Sequence, residues 1–170
     1  MSKLRGNHLY FLVNHESLGE ALLHLRSSVI HSDFQIKDFM IDEADAPVLV
    51  SGDFSVKDAF KKIDDGNLGF AIIKNQDGKL TGITSNADVR KGLLKNLDDL
   101  NGIKLEEIVN SNPVSVSEDA TISELLILIR SKKFLISYLP VVDKNNVLKG
   151  ALSFINLIRS ESWLYTWNPM

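Results

Sequence analysis

The chain contains no cysteine among its 170 residues, so disulfides and thiolate-ligated metal sites are excluded. It also lacks a basic excess. Its 19 lysines and arginines are outnumbered by 22 aspartates and glutamates, which gives a formal net charge of −3 at pH 7. A dedicated nucleic-acid-binding surface normally requires such an excess, and we therefore expect no nucleic-acid partner.

Long hydrophobic runs are missing as well. The apolar run from Leu9 to Val13 is too short for a signal-peptide core or a membrane span. We therefore expect a soluble, cytoplasmic protein with no membrane partner. Hydrophobic residues nevertheless make up 44% of the chain and charged residues 24%, which is enough apolar surface for an ordinary globular core.

The chain is also poor in groups that catalyse reactions. Its four histidines, His8, His15, His24 and His31, all lie near the N-terminus. His24 and His31 are seven positions apart on a predicted helix, more than about 10 Å at a rise of about 1.5 Å per residue, so they do not form a joint metal site. The rest of the chain has neither histidine nor cysteine, and no P-loop or GxGxxG stretch. We predict no catalytic residue, no metal, no required cofactor and no enzyme activity.

The sequence repeats itself. Residues 47–50 (PVLV) recur as 113–116 (PVSV), and residues 55–60 (SVKDAF) recur as 121–126 (TISELL), both 66 positions later. Residues 80–85 (LTGITS) recur as 148–153 (LKGALS), 68 positions later, and the lead-in 36–40 resembles 105–109. Four matched blocks in the same order indicate an internal duplication.

Each unit begins with a predicted strand and helix. Alternating valines, Val48 with Val50 and Val114 with Val116, mark a short half-buried strand. The spacing of Ser55 and Asp58, and of Thr121 and Glu124, is typical of a capping box that opens a helix. The apolar positions that follow have helical periodicity and predict an amphipathic helix; they are Val56, Ala59, Phe60 and Ile63 in one unit and Ile122, Leu125, Leu126 and Ile129 in the other.

Two strands and a second helix complete each unit. In the first, residues 68–74 turn at 76–78 into 79–85; in the second, 136–143 turn at 144–146 into 147–153. The final helices are predicted at 86–95 and at about 155–162. A unit of about 60 residues buries too little surface to be stable alone. We therefore predict an α+β fold in which two βαββα repeats pack with pseudo-two-fold symmetry and leave a cleft for a small ligand.

These patterns divide the chain into an N-terminal extension (1–35), a first repeat (36–100), a second repeat (101–162) and an aromatic tail (163–170). The extension contains a possible strand from Leu9 to Val13 and a helix with an apolar stripe, formed by Leu18, Leu22, Leu25 and Val29. We expect it to cover the repeats or to mediate association. The tail, which contains Trp163, Tyr165 and Trp167, either folds back onto the core or contacts another protomer.

Residues 82–91 (GITSNADVRK) form the most informative motif for function. Ser85 ends a predicted strand and is placed to cap the following helix, whose exposed amides favour an anion. Asp88 could accept two hydrogen bonds from a ribose diol, and Arg90 or Lys91 could bind a phosphate. The same Ser-x-x-Asp spacing is also that of an ordinary capping box, so a purely structural role remains an alternative.

This motif, at the end of a duplicated unit with this element order, resembles the CBS domain family, named after cystathionine β-synthase. The likeness covers about residues 36–160. In that family the hydroxyl and the acid commonly bind the ribose of an adenosine nucleotide, and backbone groups of the preceding strand contact the base. The resemblance implies an AMP, ADP or ATP type of ligand, with Ser85 and Asp88 at the ribose and Gly69, Phe70 and Ala71 at the base.

Residues 67–69 (NLG), 82–91 and 150–152 (GAL) resemble more closely the C-terminal CBS pair of arabinose 5-phosphate isomerases. Related pairs accompany sugar nucleotidyltransferases, so a sugar nucleotide is another implied ligand. The isomerases place a sugar-phosphate-binding SIS domain before the pair, where this sequence has only about 35 residues. We therefore expect the regulatory half without the catalytic half. The family's glycine before the aspartate is Ala87 here.

The second repeat predicts a weaker half-site. Ser153 keeps the hydroxyl, but Asn156 stands where the acid should be and offers no charge-assisted hydrogen bond. Pro140 belongs to a PVVD stretch that resembles the family's strand motif.

We therefore predict a ligand-sensing CBS pair that binds an adenine nucleotide or a related phosphorylated metabolite, forms a homodimer as the family usually does, and acts on a partner enzyme. The alternatives are a scaffold or dimerisation module that binds no ligand, and the regulatory part of a sugar-phosphate isomerase or sugar-nucleotide pathway.

Overall fold

A computed structural model describes residues 35–154 of the chain. Several predicted features lie outside these residues: the N-terminal extension with its four histidines, the helix at 155–162 with Asn156, and the aromatic tail. Within the described part the chain divides into two compact units. One comprises Gln35 and residues 120–136, and the other comprises residues 36–119 and 137–154.

The elements follow the predicted order. The strands are β1 (Ile41–Asp42), β2 (Val48–Val50), β3 (Phe70–Lys74), β4 (Leu80–Ser85), β5 (Val116–Ser117), β6 (Tyr138–Val142) and β7 (Leu148–Ser153). The α-helices are α1 (Val56–Gly66), α2 (Asn86–Lys95), α3 (Leu105–Ile108) and α4 (Ile122–Ser131), and short 3-10 turns lie at Ile36–Asp38 and Leu100–Gly102. The mixed α and β fold class is confirmed.

The smaller unit is built around helix α4. Thr121 caps the helix and forms a full capping box with Glu124, as the spacing predicts. Its four apolar stripe residues, Ile122, Leu125, Leu126 and Ile129, are all buried. Gln35 forms an isolated antiparallel bridge with Thr121, so the start of the described chain lies beside the start of this helix.

The larger unit contains two sheets. The first has the order β2-β3-β4, in which β2 is parallel and β4 antiparallel to β3. The second has the order β1-β7-β6-β5, with β5 parallel and β7 antiparallel to β6. The same strand arrangement therefore occurs in both repeats, since β2, β3 and β4 correspond to β5, β6 and β7.

Strand β3 is covered on both faces. Ala71 and Ile73 belong to a cluster with residues of helices α1 and α3, while Phe70 and Ile72 belong to a second cluster that includes Val142, Leu148 and Ala151 of the other sheet. The neighbouring strand β2 is not a simple half-buried strand. Its central residue Leu49 is the buried one, and Val48 and Val50 are only partly buried.

The two lead-in segments are exchanged between the repeats. Strand β1 follows directly on the lead-in 36–40 of the first repeat but pairs with β7 of the second, placing Ile41 opposite Ala151. Asn110 follows directly on the lead-in 105–109 of the second repeat but bonds to Ile83 of the first, through backbone hydrogen bonds of 3.0 and 2.8 Å. Because each lead-in completes the other repeat's sheet, the two repeats are bound together by backbone hydrogen bonds as well as by apolar packing.

The two hairpins meet on the pseudo-two-fold axis. Lys79 forms an isolated bridge with Val147, the residue at the same position of the second repeat. On either side, the Leu80 amide donates to the Asn146 carbonyl at 3.0 Å and the Leu148 amide donates to the Gly78 carbonyl at 2.9 Å. These two bonds are equivalent under the repeat, which confirms the expected pseudo-symmetric packing within this unit.

Helix α1 begins with the predicted capping box. The Ser55 hydroxyl donates to Asp58 Oδ2 at 2.6 Å and the Ser55 amide donates to the same oxygen at 2.8 Å. These hydrogen bonds, with the hydroxyl contributing most, lower the pKa of Asp58. A lowered pKa in the folded state means that Asp58 stabilises the fold at neutral pH, and that this contribution is lost as the pH falls through the folded-state pKa.

Thr84 on β4 is fully buried, and among the described residues its Oγ1 has no hydrogen-bond partner. An unpaired buried hydroxyl costs about 1–3 kcal/mol. We expect Thr84→Val, which keeps the shape of the side chain, to raise the free energy of unfolding by about 1 kcal/mol in urea denaturation. Thr81→Val is the control and should lower it by a similar amount, because the Thr81 hydroxyl donates to the Ile73 carbonyl at 3.1 Å. A destabilised Thr84 variant would contradict the unpaired hydroxyl.

Candidate functional site

The candidate site lies where β4 ends and helix α2 begins. Ser85 caps α2 in an extended conformation, with φ −137° and ψ 165°, and its Oγ accepts the Asp88 amide at 3.3 Å. The Ser85 hydroxyl in turn donates to Asp88 Oδ2 at 2.5 Å. The structure therefore brings these two predicted site residues into direct contact.

Ser85 and Asp88 differ in how far their side chains are exposed to solvent. Ser85 is 2% exposed, whereas the Asp88 side chain is 24% exposed. Each carboxylate oxygen has two lone pairs, so Asp88 keeps acceptor capacity for a ligand even while it holds the Ser85 hydroxyl. The accessible acceptor of the site is the Asp88 carboxylate, and Ser85 lies beneath it.

Of the two candidate phosphate ligands, Lys91 is the one beside Asp88. Its Nζ lies 3.7 Å from Asp88 Oδ1, with the lysine side chain 69% exposed. Arg90 is exposed on the same helix, but residues two apart point to different sides of an α-helix, whereas residues three apart share a face. The site therefore presents a carboxylate and an ammonium side by side.

The three residues expected at the base occupy different surroundings. Gly69 has φ +78°, a conformation that favours glycine, and its carbonyl accepts the Asn86 amide at 3.0 Å at the start of α2. Phe70 and Ala71 are fully buried, so their side chains belong to the core. The backbone of Gly69 and Phe70 lies beside the start of helix α2, since Gly69 bonds to Asn86 and Phe70 pairs with Ser85.

Tyr138 of the second repeat also lies at this site, although the sequence reasoning did not select it. Its ring stacks on Phe70, with centroids 4.4 Å apart and an interplanar angle of 19°, and Phe70 is the strand partner of Ser85. Burial raises the pKa of the Tyr138 phenol; a hydrogen bond with Ser85 lowers it, and the Asp88 charge raises it. Because the net shift is upward, Tyr138 keeps its proton at neutral pH.

A signal for Tyr138 was present in the sequence. Aligned at the offset of 68 positions, Phe70 and Tyr138 occupy the same place in the two repeats. What the sequence did not reveal is that these two rings stack on each other. That contact follows from the packing of the two repeats within the larger unit.

At the equivalent place in the second repeat, the described residues are buried. Ser153 is 6% exposed, Pro140 is fully buried, and Phe154 is 3% exposed. The Phe154 amide donates to the Ser137 carbonyl at 3.2 Å. Of these residues Phe154 differs most from its counterpart in the first repeat, since Asn86 is exposed.

A separate open groove of about 730 Å³ lies between α1 and the start of α2. Its lining includes Lys57, Lys61, Asn67, Gly69 and Asn86, but neither Ser85 nor Asp88. The groove therefore contains only one of the predicted site residues, Gly69. It is an open surface groove in which two basic side chains, Lys57 and Lys61, lie one helical turn apart.

Within residues 35–154, no group of three or more histidine, aspartate or glutamate side chains is placed to hold a metal ion. Over the same residues, no helix is long and apolar enough to cross a membrane.

Comparison with protein families gives one match, to the CBS domain, over residues 36–95 and 105–162. Among curated proteins, the chain is 31% identical over 129 residues to YlbB of Bacillus subtilis, covering 75% of this chain and 82% of YlbB. It is 27% identical over 113 residues to the L-aspartate semialdehyde sulfurtransferase of Methanocaldococcus jannaschii, covering 66% of this chain. The chain spans only 21% of that enzyme, and 38% and 32% of relatives from Chlamydia pneumoniae and Helicobacter pylori.

Solved structures share the fold. The CBS-pair protein CBSX2 of Arabidopsis thaliana matches with a TM-score of 0.63 and 21% identity, over 78% of this chain and 96% of that one; CBSX2 has also been solved with AMP. The CBS domain pair of protein MJ0100, in complex with 5′-methylthioadenosine and S-adenosyl-L-methionine, matches with a TM-score of 0.61 and 25% identity, over 75% and 98%. CbpB in complex with c-di-AMP matches with a TM-score of 0.60 and 14% identity, over 88% and 95%.

Proposed function

Because this chain belongs to the CBS domain family, we propose that it is a regulatory module that binds an adenine nucleotide or a related phosphorylated metabolite at Ser85 and Asp88. The observation that carries this proposal is the partly exposed Asp88 carboxylate at the first turn of α2, with Lys91 Nζ 3.7 Å away. The pair offers an acceptor for sugar hydroxyls and a cation for a phosphate within one turn of helix.

The ligands of the structural neighbours support an adenine-containing ligand. AMP is bound by CBSX2, 5′-methylthioadenosine and S-adenosyl-L-methionine by MJ0100, and c-di-AMP by CbpB. All four contain an adenine joined to a ribose-type sugar, whereas the rest of the molecule differs: AMP and c-di-AMP carry phosphate, S-adenosyl-L-methionine carries a sulfonium and an amino acid, and 5′-methylthioadenosine is uncharged. In this chain we assign the sugar to Asp88 and the charged part of the ligand to Lys91, with the amides at the start of α2 adding favourable partial charge.

Regulation would follow from the way the repeats are joined. Tyr138 from the second repeat lies beside Ser85 of the first, so a ligand at this site contacts elements of both repeats. A ligand that prefers one arrangement of the repeats shifts the population toward it by its difference in affinity. A partner enzyme would respond to that shift.

A thermal-shift screen tests the proposal. The full chain is melted alone and with AMP, S-adenosylmethionine, c-di-AMP or arabinose 5-phosphate at millimolar concentration. We expect one of the adenosine compounds to raise the melting temperature, because a ligand that binds only the folded state stabilises it. A response to arabinose 5-phosphate alone would favour the sugar-phosphate alternative, to which the likeness to arabinose 5-phosphate isomerases points. No response to any compound would contradict ligand sensing.

The rival function is a scaffold that binds no ligand, and one observation favours it. At the second half-site Phe154 is buried, whereas the equivalent residue of the first half-site, Asn86, is exposed. Since the Asp88 carboxylate of the first half-site is accessible, we propose binding at the first half-site only. The same screen decides between the two functions.

Four further expectations stay proposals. A homodimer is supported by the large exposed apolar side chains at the end of α2 and just after it, on Leu94, Leu97 and Leu100. A non-enzymatic role is supported by the lack of histidine and cysteine beyond residue 31. The domain division at 35, 100 and 162 is supported by the ranges of the two family matches. The cytoplasmic location remains a prediction from composition.

A further inference from the structure

The smaller unit exposes large apolar side chains on helix α4 and just after it. Ile127 on the helix is 68% exposed, and Phe134 and Leu135 in the following loop are 57% and 55% exposed. They are three of the six large apolar side chains that are exposed among residues 35–154. A single exposed apolar residue is ordinary, but several within one short stretch of chain indicate a surface that binds another segment.

This surface is specific to the second repeat. At the offset of 66 positions Ile127 corresponds to Lys61, which is exposed and charged. Phe134 and Leu135 lie in the loop between α4 and β6, where the offset between the repeats changes from 66 to 68 because the second repeat is two residues longer. The fold common to both repeats therefore does not require these apolar side chains, and they serve something that only the second repeat has.

The chain that precedes the described residues arrives beside this helix. Gln35 forms an antiparallel bridge with Thr121, the N-cap residue of α4, and both belong to the smaller unit. Helix α4 leads away from this bridge, whereas the N-terminal extension leads toward it. An extension that lies along α4 therefore runs antiparallel to the helix, with its earlier residues near Ser131 and the loop that follows.

The apolar stripe of the extension has the length that such an arrangement needs. Its four residues recur at helical spacing from Leu18 to Val29. A helix rises about 16 Å over that stretch, and the 10 residues of α4 rise about 15 Å. An isolated helix of this length is marginal in water, so it requires an apolar surface to pack against.

We propose that the N-terminal extension docks antiparallel on helix α4 through its apolar stripe and covers Ile127, Phe134 and Leu135. The occupant of this surface is a segment of the same chain, so the extension covers the second repeat and does not join two protomers. The inference is independent of the ligand site and holds whether or not Asp88 binds a nucleotide.

A spin label on the full chain tests this docking. Because the chain has no cysteine, Ser131→Cys introduces a single thiol for a nitroxide at the exposed end of α4 and keeps all three apolar side chains. A nitroxide broadens the NMR signals of nearby amides. In the docked arrangement the amides around Leu18 should lose most of their signal intensity, and those around Val29 should lose less. A tail that is only tethered at Gln35 gives the opposite order, because its residues nearest the tether stay closest to α4.

Two variants of the extension form a matched pair. Leu22→Asp places a charge within the stripe and should restore the signals around Leu18, since burying an unpaired carboxylate is costly. Ser27→Asp adds the same charge on the opposite face of the predicted helix and should leave the broadening unchanged. Circular dichroism melting checks that each variant is folded. Should Leu22→Asp not fold, the order of broadening in the Ser131→Cys protein decides alone.

A mixed sample identifies the occupant. Spin-labelled protein without isotope is mixed with isotope-labelled protein without a nitroxide. If the signals around Leu18 broaden in this mixture, the extension docks on a second copy and the proposal is wrong. It is equally wrong if the single sample shows no broadening around Leu18, if the broadening is strongest around Val29, or if Leu22→Asp and Ser27→Asp behave alike. Broadening around Leu18 in the single sample alone supports docking within one chain.

Discussion

Replacing Gly150 by alanine is expected to lower the free energy of unfolding by about 3–4 kcal/mol, because there is no room for a side chain at this position. A Cβ at Gly150 would lie 2.1 Å from the Ile41 carbonyl oxygen, which is backbone and cannot rotate away. The clash falls where β1 pairs with β7, so relief requires that the exchanged lead-in move off the second sheet. For a chain of this size the melting temperature should fall by roughly 10 °C.

Gly82 provides a matched control, since it holds the same position in the first repeat. A Cβ there would lie 3.0 Å from Val109 Cγ1 and 3.2 Å from the Asn110 carbonyl oxygen, distances that a small shift can relieve. We expect Gly82→Ala to cost about 1 kcal/mol. Both variants are compared by urea denaturation. Equal losses, or a larger loss at Gly82, would show that the lead-in of the first repeat is held less closely than described.

Replacing Asp88 by alanine is expected to abolish most of the ligand-induced thermal shift. Hydrogen bonds to an ionised acceptor contribute about 1.5–3 kcal/mol, against about 1 kcal/mol between neutral groups. A ligand at 100 times its dissociation constant stabilises the fold by about 2.7 kcal/mol, which for this chain corresponds to a shift of roughly 5–10 °C. Without the carboxylate the site has lost its accessible acceptor, and the shift should fall toward zero.

Asn156→Ala is the comparison in the second repeat and should keep the shift nearly intact, because an amide there offers only a neutral hydrogen bond. The shift, rather than the melting temperature itself, is compared, since Asp88→Ala also removes a partner of the Ser85 cap. If the Asn156 variant loses the shift while the Asp88 variant keeps it, the ligand has been assigned to the wrong repeat.

Much of the fold could be predicted because the starts and ranges of its helices depend on short sequence patterns. The capping residues at Ser55 and Thr121 set the starts of two helices, and the structure shows both capping boxes in full. The range predicted for helix α2 agrees with the observed Asn86–Lys95. These features depend on contacts between residues three or four positions apart. Such contacts can be predicted from local sequence without knowledge of the tertiary fold.

Part of the candidate site could be predicted for the same reason. Ser85 and Asp88 are three residues apart at a helix start, so their contact follows from helix geometry once the helix is known. Lys91 follows from the same spacing rule. Tyr138 could not be found in this way, because it is 53 positions from Ser85 and reaches it only through packing on Phe70.

The duplication and its spacing were visible in the sequence alone, and they determined the element order, the pseudo-symmetry and the position of the motif at residues 82–91. The tertiary structure decided which segments meet. Only the tertiary structure shows that each lead-in segment pairs with the sheet of the other repeat, so that Ile41 pairs with Ala151 and Asn110 with Ile83. The physical reason is that two similar sheets offer each lead-in two edges to join, and local pattern does not distinguish between them. Long-range packing makes that choice, and it also stacks Tyr138 on Phe70, the strand partner of Ser85.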